Sequence, residues 1–241
     1  MSTVYLVRHG QAGTRDAYDS LSEVGQRQAQ LLGEHFVSQG IQFSKVSSGS
    51  LSRQRQTAEG IQRAYGDASI PCASVSIDPG WNEFDLGQVY REIAPQLCAE
   101  DAEFRDEWER MCEQVRASGG ASTASVHRKW LPCDTKVVNA WISGRYRYSG
   151  ESWGQFRERI AAQQRVDGTQ SRDNILVVTS ATPVAIWMGL SLDIQNERVL
   201  RLAGAVYNAS YSVFRLRGPE LRLFTFNAAP HLMAAGLRTH R

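Results

Sequence analysis

The chain has 241 residues, enough to bury a full core, and its length suits one domain with an insertion better than two independent ones. Its net charge of +2 argues against a nucleic-acid binder and against a membrane-surface protein. No stretch approaches about 18 uncharged apolar residues, and the first strand begins without a basic and then apolar leader, so the expectation is a soluble cytoplasmic protein. Of the 27 basic residues only Lys45, Lys129 and Lys136 are lysines. Arginine suits bidentate anion binding, but so many cannot line one pocket, and most are expected on the solvated surface. Cys72, Cys98, Cys112 and Cys133 are widely spaced, with no C-x-x-C pair and no zinc-ligand pattern, and read as reduced and structural.

Thr3-Val4-Tyr5-Leu6-Val7 predicts a buried strand that runs straight into Arg8-His9-Gly10-Gln11. That places a cation, an imidazole and a permissive backbone at the C-terminal end of a strand, the edge where open α/β sheets bind ligands. Arginine offers a planar fork of donors and neutral histidine a nucleophilic nitrogen, which suits a phosphate. Gly13 to Asp19 reads as polar loop. Ser20 or Ser22 can cap a helix to about Ser38, with Ser20-Leu21-Ser22-Glu23 fitting a capping box and Leu21, Val24, Leu31, Leu32 and Phe36 on one face. Lys45 to Ser48 predicts a second strand, Gly49-Ser50 a turn, and Leu51 to Ala64 a helix whose N-terminus favours an anion, with Arg53 in its first turn.

Ala73 to Ile77 reads as a third strand, broken by Asp78-Pro79-Gly80. In the loop Trp81-Asn82-Glu83-Phe84-Asp85-Leu86-Gly87, a carboxyl flanked by aromatics is a candidate general acid, and Glu83 is the better placed of the two. From about 89 to 149 the βα rhythm is lost. A charged helix from Glu100 to Arg116, a linker-like Ser118 to Ser122 and an aromatic stretch are expected to form an inserted cap that sets substrate selectivity. His127-Arg128-Lys129-Trp130 reads as solvated surface or as a substrate-facing basic patch. A helix from Glu151 to about Arg165 precedes the clearest buried strand, Asn174 to Thr179. That strand delivers Ser180-Ala181-Thr182 to a helix start with Pro183 in the first turn, a second anion-favouring terminus. Ala205 to Arg215 and Leu221 to Phe226 flank Arg217-Gly218-Pro219-Glu220 as a hairpin.

These segments together resemble the histidine phosphatase superfamily, also called phosphoglycerate mutase-like, over essentially the whole chain. RHGQA resembles its signature, SGSLSRQRQTAE its second phosphate-binding segment, and WNEFDLG the loop carrying its proton donor. The resemblance implies an α/β fold, a three-layer α/β/α sandwich with a mostly parallel mixed sheet and an inserted helical cap. It would form a single domain over 1–241 with the cap at about 89–149. It also implies His9 as the phosphorylated nucleophile, Arg8 and Arg53 as phosphate clamps and Glu83 as the acid. Gly10, Gln11, Ser180, Ala181 and Thr182 would complete the phosphate site. No metal and no cofactor are called for, since the arginines supply the charge.

One departure matters. After the strand that ends at Thr179 the family usually has a second histidine followed by glycine, and here Ser180-Ala181 stand instead. Losing one preorganised donor typically costs on the order of 100- to 1000-fold in rate. His231, in NAAPHL, is the candidate to replace it, ahead of His127. The expected activity is metal-independent hydrolysis of a small phosphorylated metabolite or a phosphoprotein through phosphohistidine. The alternatives are mutase-type phosphoryl transfer, or a slow or non-catalytic phospho-ligand binder. Glycolytic mutases have E-R-x-Y-G where this chain has Glu83-Phe84-Asp85-Leu86-Gly87, which disfavours the mutase. The expected partners are a small phosphorylated substrate, no nucleic acid and no membrane, with the chain a monomer or a homodimer.

Overall fold

The N-terminal run of apolar and β-branched residues forms β1 (Ser2–Arg8), a central strand of a six-stranded sheet. The computed structural model describes residues 2–13, 19–117, 124–164, 173–218 and 220–240, with only the backbone of 115–117, 124–132 and 197. The expectations for 14–18, for the linker at Ser118 to Ser122, for the turn at 165–172 and for the side chains of His127 to Trp130 lie outside the described residues.

After β1 come α1 (Glu23–Ser38), β2 (Lys45–Ser48), α2 (Ser52–Asp67) and β3 (Val75–Ile77). Three helices follow, α3 (Leu86–Glu100), α4 (Ala102–Ala117) and α5 (Ala124–Ser143), and then α6 (Trp153–Ala162), β4 (Asn174–Thr179), α7 (Ala181–Leu192), α8 (Asn196–Ala205), β5 (Tyr211–Arg217) and β6 (Glu220–Ala228). The sheet order is β3-β2-β4-β1-β5-β6. β3, β2, β4 and β1 run parallel, so their C-terminal ends share one edge, while β5 runs antiparallel to both its neighbours, β1 and β6. Alternation along β1 explains the layers. Tyr5 and Val7 join Leu32 and Phe36 of α1 and Ile61 and Tyr65 of α2 in one cluster. Val4, whose ladder partners are Ile175 and Phe214, faces the other way, and Phe214 there meets the ring of Trp187 of α7 at 5.4 Å. The result is the α/β sandwich with a mostly parallel mixed sheet that the sequence predicts.

Three local expectations differ. The capping box at Ser20 does not form, because Leu21 is held extended in a bridge with Ala12; Ser22 caps α1 instead, accepting from the Gly25 N–H at 3.1 Å. The charged helix expected from Glu100 starts instead at Ala102, because Asp101 caps it through the Phe104 N–H at 2.9 Å. The strand expected from Ala205 starts only at Tyr211, since α8 runs to Ala205 and Asn227 grips the turn that follows. Asn227 accepts from the Tyr207 N–H and donates to the Ala205 carbonyl, both at 2.8 Å.

Backbone contacts divide the chain into two compact units, Met1–Gly13 with Ala17–Glu83 and Arg159–Arg241, and a second one built on Phe84–Glu158. The second has its own aromatic core. Phe84 stacks on Trp141 at 4.5 Å, Trp141 meets Trp153 edge-on, and Tyr90 stacks on Trp108 while donating its hydroxyl to Asp134. Among the described residues no helix is long and apolar enough to cross a membrane. None of the four cysteines forms a disulfide.

Candidate active site

The site is built where β1, β2 and β4 end. Arg8 is opposite Thr179 in the ladder, so His9 and Ser180 leave the sheet side by side, and the His9 N–H donates to the Thr179 carbonyl at 2.8 Å. The His9 carbonyl accepts from the Ala209 N–H at 3.1 Å and from Asn208 Nδ2 at 3.4 Å. The backbone of His9 is thereby fixed from β4 and from the turn before β5.

The ring is buried, 3% exposed. His9 Nδ1 is 2.7 Å from the Gly10 carbonyl, so Nδ1 carries the proton and Nε2 keeps its lone pair. Arg53 Nε donates to that lone pair at 3.2 Å. Burial pushes the imidazole pKa well below its usual value, and the nearby Arg53 and Arg8 guanidiniums push the same way, outweighing the Gly10 carbonyl. The ring is therefore held neutral near two permanent cations.

The turn depends on close backbone approach. A Cβ on Gly10 would lie 2.5 Å from the Gly25 carbonyl oxygen, so only glycine lets α1 come this near. The Gly10 N–H donates to Thr57 Oγ1 at 3.0 Å, and Thr57 donates to the Arg53 carbonyl at 2.7 Å, which ties the turn after β1 to α2. Gln11 is taken up by α1: its N–H goes to Gln28 and its side-chain oxygen receives the Ser22 hydroxyl at 2.9 Å.

Arg8 and Arg53 are both buried, at 5% and 8% exposure. Arg8 donates to the Val206 carbonyl at the end of α8. Arg53 Nη1 bridges to Asp19 at 3.1 Å, and Asp19 also accepts from the Ser52 N–H at the start of α2. Glu83 reaches α7, where Oε2 accepts from the Thr182 N–H at 3.2 Å. A carboxylate at a helix N-terminus is favourably placed. The neighbouring Ala181 N–H has no partner among the described residues and remains open to an anion. The loop that carries Glu83 is rigid: Arg159 Nη1 donates to the carbonyls of Pro79, Gly80 and Asn82, Thr179 Oγ1 donates to the Trp81 carbonyl at 2.6 Å, and Trp81 packs on Trp187 at 5.2 Å.

Arg8, His9, Gly10, Arg53, Glu83, Ser180, Ala181 and Thr182 thus belong to one network. His231 sits in a different cluster, stacked on His35 at 5.9 Å, with His35 stacked in turn on Tyr211. Neither ring nitrogen of His231 has a hydrogen-bond partner of normal geometry, and burial lowers its pKa to about 4, reinforced by His35 and partly offset by the Ala209 backbone. Sequence reasoning missed Gln54, Asp19, Asn82 and Arg159. For Gln54 a signal exists. Arg53, Gln54, Thr57, Ala58 and Ile61 fall on one helical face, so a polar cluster interrupts an otherwise apolar stripe, and all five are buried.

Comparison with known proteins gives the family and the fold. Over 138 residues the chain is 30% identical to a Yersinia pestis (strain Pestoides F) protein named probable phosphoglycerate mutase GpmB, covering 54% of this chain and 60% of that one. Over 153 residues it is 22% identical to the mitochondrial serine/threonine-protein phosphatase Pgam5 of Caenorhabditis briggsae, covering 62% of this chain and 52% of that one. The matches therefore span between about half and three-fifths of these relatives. In fold, the chain matches the crystal structure of a putative alpha-ribazole-5'-P phosphatase from Escherichia coli str. K-12 substr. MG1655, with a TM-score of 0.61 at 21% identity over 95% of this chain and 97% of that one. The family model of the histidine phosphatase superfamily (branch 1) matches residues 4–141, more than half of the sequence, and the protein belongs to that superfamily.

Proposed function

We propose that this protein hydrolyses phosphomonoesters through a phosphohistidine on His9. The observation that carries the reading is the state of that ring: buried, neutral, its Nδ1 proton held by Gly10, its Nε2 lone pair facing buried Arg53, and the charge of buried Arg8 nearby. In the first step Nε2 attacks phosphorus in line, the ester P–O bond breaks, and Glu83 protonates the leaving alkoxide. In the second, Glu83 takes a proton from water, the oxygen attacks phosphohistidine, the P–N bond breaks, and inorganic phosphate leaves with His9 neutral again. Arg8 and Arg53 neutralise the equatorial oxygens, so positioning and charge supply most of the acceleration without a metal. Arg53 Nε must leave Nε2 for a phosphoryl oxygen before attack, so the arginine that shields the nucleophile at rest becomes a clamp when substrate binds. Selectivity for a small phosphorylated metabolite or a phosphoprotein is assigned in this reading to the inserted Phe84–Glu158 unit.

The test is hydrolysis of p-nitrophenyl phosphate. Turnover is expected without divalent metal, undiminished by chelator and lost in His9→Ala, with an acid-labile, base-stable phosphoprotein trapped after brief exposure to substrate. Absence of turnover above the His9→Ala background overturns the reading. The 30% identity to a probable phosphoglycerate mutase favours one alternative, a mutase, which would show as interconversion of phosphoglycerates.

A further inference from the structure

We propose that Ser180 and Gln54 together do the work expected of a second histidine, Gln54 as a positioning residue that forces the Ser180 hydroxyl to donate to the phosphoryl group. The proposal rests on the phosphate-site reading above.

Gln54 follows the clamp Arg53 in α2, yet its side chain turns inward and is fully buried. The orientation of its amide is fixed by unambiguous partners. Oε1 accepts from the Leu51 N–H at 3.3 Å, and Nε2 donates to the Trp81 carbonyl at 3.3 Å. Nε2 also lies 2.9 Å from Ser180 Oγ, and because the amide nitrogen can only donate, Ser180 must accept there. The hydroxyl proton is left without a protein acceptor among the described residues, on a side chain that is 1% exposed. A buried donor with no acceptor costs free energy unless a ligand takes it up. Ser180 stands beside His9 at the strand ends, with the open Ala181 N–H next to it, so an oxygen of a phosphoryl group on His9 is the acceptor at hand.

The amide also fills space. A Cβ on Gly49 would come within 2.0 Å of Gln54 Oε1, so the room at the ends of β2 and β4 is already occupied. The pair therefore differs from an imidazole in kind. It donates at every pH and carries no charge, which leaves Arg8 and Arg53 as the only cationic side chains in the described network. Placing a histidine at 180 alone would drive its ring against the Gln54 amide. Ser180→His is expected to lower activity, and Ser180→His with Gln54→Ala to recover part of it.

The deciding experiment is a double-mutant cycle with Ser180→Ala and Gln54→Met, Met keeping the volume of the glutamine without its donors. Binding of orthovanadate and of inorganic phosphate would be measured by calorimetry, turnover of p-nitrophenyl phosphate in parallel, and folding by circular dichroism. A hydrogen bond to a charged acceptor predicts that Ser180→Ala weakens vanadate binding and lowers kcat on the order of 10- to 100-fold, with a smaller change in KM. Gln54→Met should do part of the same, and the double variant should be no worse than Ser180→Ala. Additive effects, or unchanged vanadate binding in Ser180→Ala, overturn the proposal. If Gln54→Met fails to fold, Ser180→Thr decides: retention of vanadate affinity supports a hydroxyl donor, and loss equal to that of Ser180→Ala overturns it. Vanadate binding without turnover by the wild-type protein would instead overturn the phosphatase reading and leave the cycle readable.

Discussion

At the residue scale, the proposed chemistry needs His9 neutral, and its surroundings keep it so. An imidazole whose pKa is held down remains a nucleophile below the pH at which free histidine is mostly protonated. The acidic limb of kcat/KM is therefore expected to fall well below pH 6.5. A pH profile on p-nitrophenyl phosphate that bends at 6.5 would mean that the ring is not in this environment during turnover. Glu83 makes a different prediction, because a proton donor matters most when the leaving group is poor. Glu83→Gln is expected to slow an alkyl monoester on the order of 100- to 10,000-fold and p-nitrophenyl phosphate much less, measured as the ratio of the two rates. The polar residues of this network were unevenly legible in the sequence. Arg8, His9 and Glu83 stand next to strand ends and aromatic neighbours that mark them, whereas Gln54 looks like any exposed helix residue until its face is known to be buried.

At the element scale, helix α1 shows how much depends on small residues. Its buried face is not only the Leu32 and Phe36 that periodicity marks but also Gly25, Ala29 and Gly33. A Cβ on Gly25 would lie 2.1 Å from the Gln11 carbonyl oxygen, and one on Gly33 would lie 2.7 Å from Ala64 Cβ of α2. Gly33→Ala is expected to cost about 1–3 kcal/mol by forcing the two helices apart, read as a shift in urea midpoint. Gly25→Ala should cost similar stability and in addition depress kcat, because it displaces the backbone that carries Gln11 and, through it, the RHG turn. Element types were readable because apolar period and caps agree in β1, α1, β2, α2 and β4. They misled at Ala205, where the alternation of a strand was printed on a helix end and a turn, and what decided the outcome was Asn227, some twenty residues away in sequence. Local patterns cannot show a side chain reaching back across a hairpin.

At the scale of the whole molecule, burial of histidines sets the response to acid. His9, His35, His231 and His240 all have pKa values lowered by burial, that of His231 to about 4. A histidine kept neutral in the fold but protonated when unfolded stabilises fully above about pH 6.5, and that stability drains away as pH falls towards the folded value. For His231 the window runs from about 6.5 down to about 4, worth at most about 3 kcal/mol. Urea unfolding at pH 7 and at pH 4.5 should show this loss, and His231→Phe, which keeps the stack on His35, should flatten it. An identical pH dependence in that variant would place the acid sensitivity elsewhere.

The backbone of His9 is held by Thr179 of β4, by Ala209 and by Asn208, while the next residue, Gly10, is held by Thr57 of α2. No single loop can open and release it. In deuterated water the His9 amide is expected to exchange only as the entire fold unravels, among the slowest protons in the molecule, even though it sits in the residue that must meet solvent-borne substrate. The proposed nucleophile is then as durable as the protein itself, and mild denaturant should extinguish any hydrolysis and protection from exchange at the same concentration.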